Sequence, residues 1–229
     1  MLIATDIGTT NIKAVAVSGA GDVLAVAERQ NATLNPQTGW QEQDPEAVFQ
    51  YVVEVLAEVW AASKEEEKLS GIIFSSAMHG LMAVDKNGKP LTNILLWSDM
   101  RADSIARSLR QGREGLDIYR RTGVPIHAMS PLCKLMWLRQ NQPDVFQKAH
   151  QFLDIKSYVW FRLTGEFRSD VSVASATGLL NIEQQIWDAP AMEMAGIAAA
   201  QLPKPVSPAY IAGVLPEMAA KWALPTGVP

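Results

Sequence analysis

The chain has 229 residues, 48% of them hydrophobic and 19% charged, with a formal net charge of −4. That balance belongs to a soluble globular protein, long enough for one large domain or two small ones. It excludes a general electrostatic pull on nucleic acid or anionic membranes. The single cysteine, Cys133, excludes an internal disulfide and a four-cysteine zinc site. The N-terminus has no basic region followed by an apolar segment, and the most apolar stretch, residues 72–84, is too short to span a bilayer. A cytoplasmic protein is expected.

Three strands open the chain, over Leu2–Ile7, Ile12–Val17 and Val23–Glu28. Their connectors, residues 8–11 and 19–22, are short and carry Gly, which predicts an antiparallel meander. Residues 35–43 read as a polar loop. Asp44 as N-cap and Pro45 at the first helical position then start a helix with Val48, Val52, Val55, Leu56 and Val59 on one face. The charge run 64–68 reads as its solvated end.

A fourth strand is predicted at Gly71–Ser75. Leu81–Val84 and Asn93–Trp97 flank an Asp-Lys-Asn-Gly turn and read as a second hairpin. From Asp99 the periodicity is helical over 99–109, 115–121, 131–141 and 155–163. A strand and turn at 178–187 and a short helix at 217–222 follow. The expected fold class is α/β, a mixed sheet with an antiparallel meander and crossover helices, plus a helical elaboration.

Several stretches offer chemistry. Asp6-Ile7-Gly8-Thr9-Thr10 joins a tight turn, whose backbone amides and two hydroxyls suit phosphate oxygens, to an acid suited to Mg²⁺. Its plain alternative is a hairpin turn with a solvated Asp. No Gly-Lys-Ser/Thr loop and no G-x-G-x-x-G follow a strand, which argues against the common nucleotide loops. Met78-His79-Gly80 sits just beyond the end of the fourth strand, where ligands bind open α/β sheets. Trp97 offers a flat apolar wall, and Arg101 a partner for an anion. The alternatives are a core Trp and an exposed Arg. Residues 125–134 form a loop rigidified by Pro125 and Pro131, with Ser130 as an N-cap. Asp170 precedes a run of small residues that a ligand can approach, and reads otherwise as a cap.

The order of these motifs resembles that of the FGGY carbohydrate kinases. The resemblance covers the opening stretch, Met78-His79-Gly80, Trp97 to Arg101, Leu163-Thr164-Gly165 and Asp170 to Gly178, nearly the whole chain. Residues 125–134 are most similar to the gluconokinase branch.

The resemblance implies an actin-like, ribonuclease-H-like ATPase domain. It implies that residues 1–229 are the N-terminal, sugar-binding domain of a truncated chain that lacks the ATP-binding domain and does not turn over alone. The stretches 213–215 and 224–229 are similar to the approach to the domain junction. The implied reaction is ATP-dependent phosphorylation of a sugar or sugar acid, D-gluconate first and xylulose or glycerol next. Mg²⁺ and ATP are the implied cofactor and co-substrate, and homo-oligomerisation is compatible with it.

By the same resemblance Asp170 is the general base and Asp6 positions Mg²⁺. Gly8, Thr9 and Thr10 face the transferred phosphoryl group, with Lys13 nearby. Met78, His79, Trp97 and Met129 contact the sugar. From charge alone, Arg101 or Lys134 is expected to pair a gluconate carboxylate. A sugar-binding module without catalysis and an actin-like structural ATPase are the other readings.

Overall fold

The computed structural model describes residues 1–224. Residues 225–229, in the stretch read as leading to a domain junction, lie outside them. Strands β1 (Leu2–Ile7), β2 (Asn11–Val17) and β3 (Val23–Gln30) form the expected antiparallel meander. The polar loop ends in a two-residue strand, β4 (Glu42–Gln43). Helix α1 (Pro45–Ser63) starts where its cap predicts, with the Asp44 carboxylate accepting from the Glu46 amide at 2.9 Å. Strand β5 (Gly71–Ser76) then runs parallel to β1, so the sheet order is β3-β2-β1-β5.

Period-two alternation decides which face is buried. Ile3, Ile7, Ile12, Ala14 and Ala16 face inward, and α1 packs over β1, β2 and β3 with Val48, Val52, Val55, Leu56 and Val59. Asp6 stands in register with Lys13 on one side and Ser75 on the other, all three exposed on the opposite face. The parallel crossover brings the end of β5 beside the β1–β2 turn. Ile7 pairs Ser76, and the Ala77 amide donates to the Ile7 carbonyl at 3.1 Å.

The second hairpin forms only in part. β6 (Met82–Val84) and β7 (Ile94–Leu95) meet through isolated bridges, Leu81 to Leu95 and Val84 to Pro90. Pro90 has no N–H, and the Thr92 hydroxyl takes the Ala83 amide at 3.0 Å, so the ladder cannot continue. β7 pairs β4 instead.

Helices α2 (Asp103–Gln111), α3 (Arg113–Thr122), α4 (Pro131–Asn141) and α5 (Pro143–Lys148) follow. The first begins four residues later than its periodicity predicts, because Asp99 folds back on its own loop. Next come β8 (Gln151–Leu153), which pairs β6, and α6 (Ile155–Thr164). β9 (Arg168–Asp170), α7 (Val171–Ala174) and the hairpin β10 (Leu180–Asn181) and β11 (Ile186–Trp187) succeed them. α8 (Ala189–Ala195), β12 (Lys204–Val206), parallel to β9, and α9 (Pro216–Lys221) close the described chain. The sheet, α1 and α6 share one core; α2, α4 and α8 gather around a second. This is the α/β sheet with a helical elaboration that the sequence predicts.

Candidate active site

The β1–β2 turn is built from the backbone outward. The Gly8 amide donates to the Asn11 carbonyl at 3.1 Å, and a Cβ on Gly8 would lie 2.6 Å from that oxygen. Only Gly permits this approach. The carbonyls of Gly8 and Thr9 accept from the side-chain amides of Asn31 (3.1 Å) and Gln43 (2.7 Å), and that of Thr10 from the Asn31 N–H (2.7 Å). Three successive carbonyls are therefore occupied from the protein side, so an anion brought to the turn does not meet unpaired acceptor oxygens. Asn31 and Gln43 carry no signal in the sequence; the first ends the meander and the second only precedes a helix cap.

Asp6 stands beside this turn, its Oδ2 3.6 Å from the position of a Gly8 Cβ. It forms no ion pair among the described residues, and no cluster of three metal-binding side chains occurs among them. One unpaired carboxylate next to a phosphate-suited turn fits Mg²⁺, which keeps several waters and uses few protein ligands.

Ile7, Gly8, Thr9, Gln43, Met78 and Trp97 line one hollow. Met78 and Trp97 are 43% and 51% exposed, large apolar side chains left for something else to cover. His79 holds a left-handed backbone, φ 64°, and its ring Nδ1 is 2.8 Å from the Ala176 carbonyl. That acceptor assigns the proton to Nδ1 and leaves Nε2 as an acceptor. Burial lowers the His79 pKa, with the Ala176 carbonyl opposing, so the ring is neutral at neutral pH. Met129 is half-buried in the loop before α4, outside the lining of the hollow; its amide donates to His127 Nδ1 at 3.1 Å. Lys13 is exposed on the sheet face beside Asp6.

The two cations expected to pair a carboxylate point inward. The Arg101 side chain is 2% exposed and its partner Asp99 is 0% exposed. Arg101 Nε donates to Asp99 Oδ1 at 2.9 Å and Nη2 to Oδ2 at 2.8 Å, and Glu42 takes a further bond. Its guanidinium lies 3.8 Å from the Trp40 ring centroid and 5.1 Å from that of Trp137. Asp99 also accepts from the Gln41 amide at 2.8 Å. Arg101 thus ties the Trp97 loop to residues 40–42, with no donor surface for a ligand. Lys134 is 0% exposed and donates only to backbone carbonyls.

Asp170 lies in the cap position that is its other reading. It caps α7, accepting from the amides of Ser172 (3.0 Å) and Val173 (3.4 Å) and from the Ser172 hydroxyl, and pairs Lys156 at 2.8 Å. Burial alone would raise its pKa, but Lys156 and Ser172 outweigh it and hold the carboxyl below its usual range. Asp170 lines a different groove from that hollow, along β5 with Trp160 and Tyr210. Its bonds tie α6 to the end of β9.

Two outcomes follow for Asp170. Asp170→Ala is expected to cost about 1–2 kcal/mol in urea unfolding at pH 7 through the lost cap, and Asp170→Asn, which keeps the cap, less. Because the folded carboxyl is depressed, its contribution is complete above the ordinary carboxylate pKa of about 4 and is lost as pH falls through the depressed value. The stability difference between wild type and Asp170→Ala is therefore expected to shrink on acidification below about pH 4.

The family model for the FGGY family of carbohydrate kinases, N-terminal domain, matches residues 1–229. The gluconokinase of Bacillus subtilis (strain 168) is 38% identical over 203 residues, 89% of this chain and 39% of that protein. The xylulose kinase of the same strain is 33% identical over 227 residues, 97% of this chain and 45% of that protein. The crystal structure of gluconate kinase from Lactobacillus acidophilus superposes with a TM-score of 0.94 at 32% identity, covering 99% of this chain and 46% of that one. The chain spans less than half the length of each of these proteins. The fold is the actin-like, ribonuclease-H-like arrangement of those kinases. With the whole of its length matched and its sheet, turn and loops superposed on theirs, the chain belongs to the FGGY family of carbohydrate kinases, as the N-terminal domain.

Proposed function

We propose that the chain is the sugar-binding part of an ATP-dependent carbohydrate kinase whose nucleotide-binding part lies outside it, and that D-gluconate is the acceptor. One observation carries the reading: a hollow that joins the Gly8–Thr9 turn, beside the unpaired Asp6, to the exposed faces of Met78 and Trp97. Phosphoryl transfer asks mainly for positioning and charge stabilisation. The hollow itself, about 10 Å³, has room for no more than one water, so the reactants would lie over its rim, between the turn and the exposed faces of Met78 and Trp97. Gluconate rather than xylulose is favoured by the gluconokinases among the relatives, at 38% and 36% identity against 33% for a xylulose kinase. A cytoplasmic setting, where ATP is supplied, belongs to the same proposal. No helix among the described residues is long and apolar enough to cross a membrane.

Asp6 would hold Mg²⁺, which neutralises developing charge on the transferred phosphoryl group. The turn would take phosphoryl oxygens on the N–H groups and hydroxyls of Thr9 and Thr10. Met78 and Trp97 would pack against the carbon face of the sugar, and neutral His79 would accept a hydroxyl hydrogen bond at Nε2. No carboxylate is among the residues lining the hollow. The proposed base therefore reaches the acceptor hydroxyl from beyond that lining, and Asp170 is not it. In the full-length kinase Asp170→Asn is expected to keep kcat within about tenfold, where loss of a general base costs about 10²–10⁴.

The test is a panel of gluconate, xylulose, glycerol and fuculose with the full-length kinase, scored by kcat/KM. Gluconate leading by at least tenfold supports the assignment. A lead for xylulose replaces the substrate and keeps the site. No sugar-dependent ATP consumption with any of them overturns both.

A further inference from the structure

Lys134 is the most unusual charge in the molecule. Its side chain is fully buried, it forms no ion pair among the described residues, and it lies on α4, far in sequence from the partners of its Nζ. Nζ donates to the carbonyls of His79 at 2.6 Å, Leu96 at 2.7 Å and Leu95 at 3.2 Å. Those three acceptors match the three donors of an ammonium, one more than a neutral amine has. Burying a cation without a carboxylate partner is costly. Burial pushes this amine down to about 7, with Asp99 opposing and Arg101 adding to the shift. A methionine would fill the space at no such cost.

The acceptors show what that cost maintains. His79 O is one residue from Met78, and Leu96 O is one residue from Trp97, the two exposed apolar walls of the hollow. His79 is held in a left-handed backbone, a conformation a non-glycine residue keeps only when its surroundings impose it. Leu95 O is shared with the Leu81 amide at 3.1 Å, so the same ammonium reaches the bridge joining the two loops.

We infer that Lys134 is a positioning residue: its amino group sets the separation and orientation of Met78 and Trp97, and so the shape of the surface offered to the acceptor, without touching the substrate. Arg101 anchors the Trp97 loop from its outer side, through Asp99 and Glu42; Lys134 anchors both loops from beneath. The inference rests on the hollow being the sugar site, but the loop anchoring does not depend on that reading.

The test uses the full-length kinase and Lys134→Met. Amide hydrogen exchange at Leu81, Leu95 and Leu96 is expected to rise at least tenfold, while exchange in β1 and β2 stays unchanged. KM for the sugar that the wild type prefers is expected to rise at least tenfold with kcat within threefold, and Lys134→Arg to recover part of that KM. Exchange that rises equally in β1 and β2, or a KM within twofold of wild type, overturns the inference. If Lys134→Met does not fold, Lys134→Gln, which keeps two N–H donors in the same space, is read by the same criteria. If the wild type phosphorylates no sugar, the functional reading fails, and the exchange result still decides whether Lys134 positions these loops.

Discussion

Replacing Arg101 with Met is expected to destabilise the domain by about 3–5 kcal/mol. Met keeps much of the volume and removes the charge. Asp99, whose side chain is 0% exposed, then loses its bidentate partner, and Glu42 loses its ion pair with Arg101. A buried carboxylate without its cation bears the full desolvation cost. The stacking of the guanidinium on Trp40 goes as well, worth about 0.5–2 kcal/mol at a desolvated site. Urea unfolding measures the loss. The double variant Arg101→Met/Asp99→Asn is expected to recover part of it, because the orphaned charge is gone. A midpoint within experimental error of wild type would show that the network contributes little.

Asp6→Asn is expected to act in the opposite manner, leaving stability intact and removing turnover. Asp6 is exposed and forms no ion pair among the described residues, so its replacement is expected to change unfolding by no more than about 0.5 kcal/mol. In the full-length kinase, kcat is expected to fall by about 10²–10³, the usual loss when one preorganised electrostatic group leaves a reacting centre. The Mg²⁺ concentration for half-maximal rate is expected to rise with it. A kcat within threefold of wild type would remove Asp6 from the proposed metal corner. The expected contrast between Arg101 and Asp6 follows from burial and partners, since both are charged residues in loops or strand ends.

The local parts of this molecule are legible in its sequence. Gly-bearing connectors give the meander, and Asp44-Pro45 and Ser130-Pro131 fix the starts of α1 and α4 to the residue. These features depend on neighbours within a few positions. Pairings over long separations are not legible. Met82–Val84 reads as half of a hairpin, yet pairs Gln151–Leu153, because Pro90 and Thr92 break the nearer ladder. The two-residue strand Glu42–Gln43 is too short to show any period.

The site divides in the same way. Gly8, Thr9, Met78 and Trp97, which the motifs single out, line one hollow, because each lies at a strand end or turn. Charge alone gives Arg101 or Lys134 a ligand carboxylate, and the resemblance gives Asp170 the role of base, with a cap as its other reading. Each is committed to a partner that the chain brings from elsewhere: Glu42 for Arg101, the His79 and Leu96 carbonyls for Lys134, and Lys156 for Asp170. Trp40 and Trp137, which lie over the Arg101 guanidinium, also come from distant parts of the chain, so this packing is not legible in the sequence.

In the proposed function the sugar sits against Met78 and Trp97, beside the Gly8–Thr10 turn. Amide hydrogen exchange of the full-length kinase, with and without saturating gluconate, measures this directly. Protection concentrated at residues 8–10, 77–80 and 96–98 is the expected result. Protection confined to the groove of Ile73, Trp160 and Tyr210, or absent from the domain while gluconate is turned over, would contradict the claim.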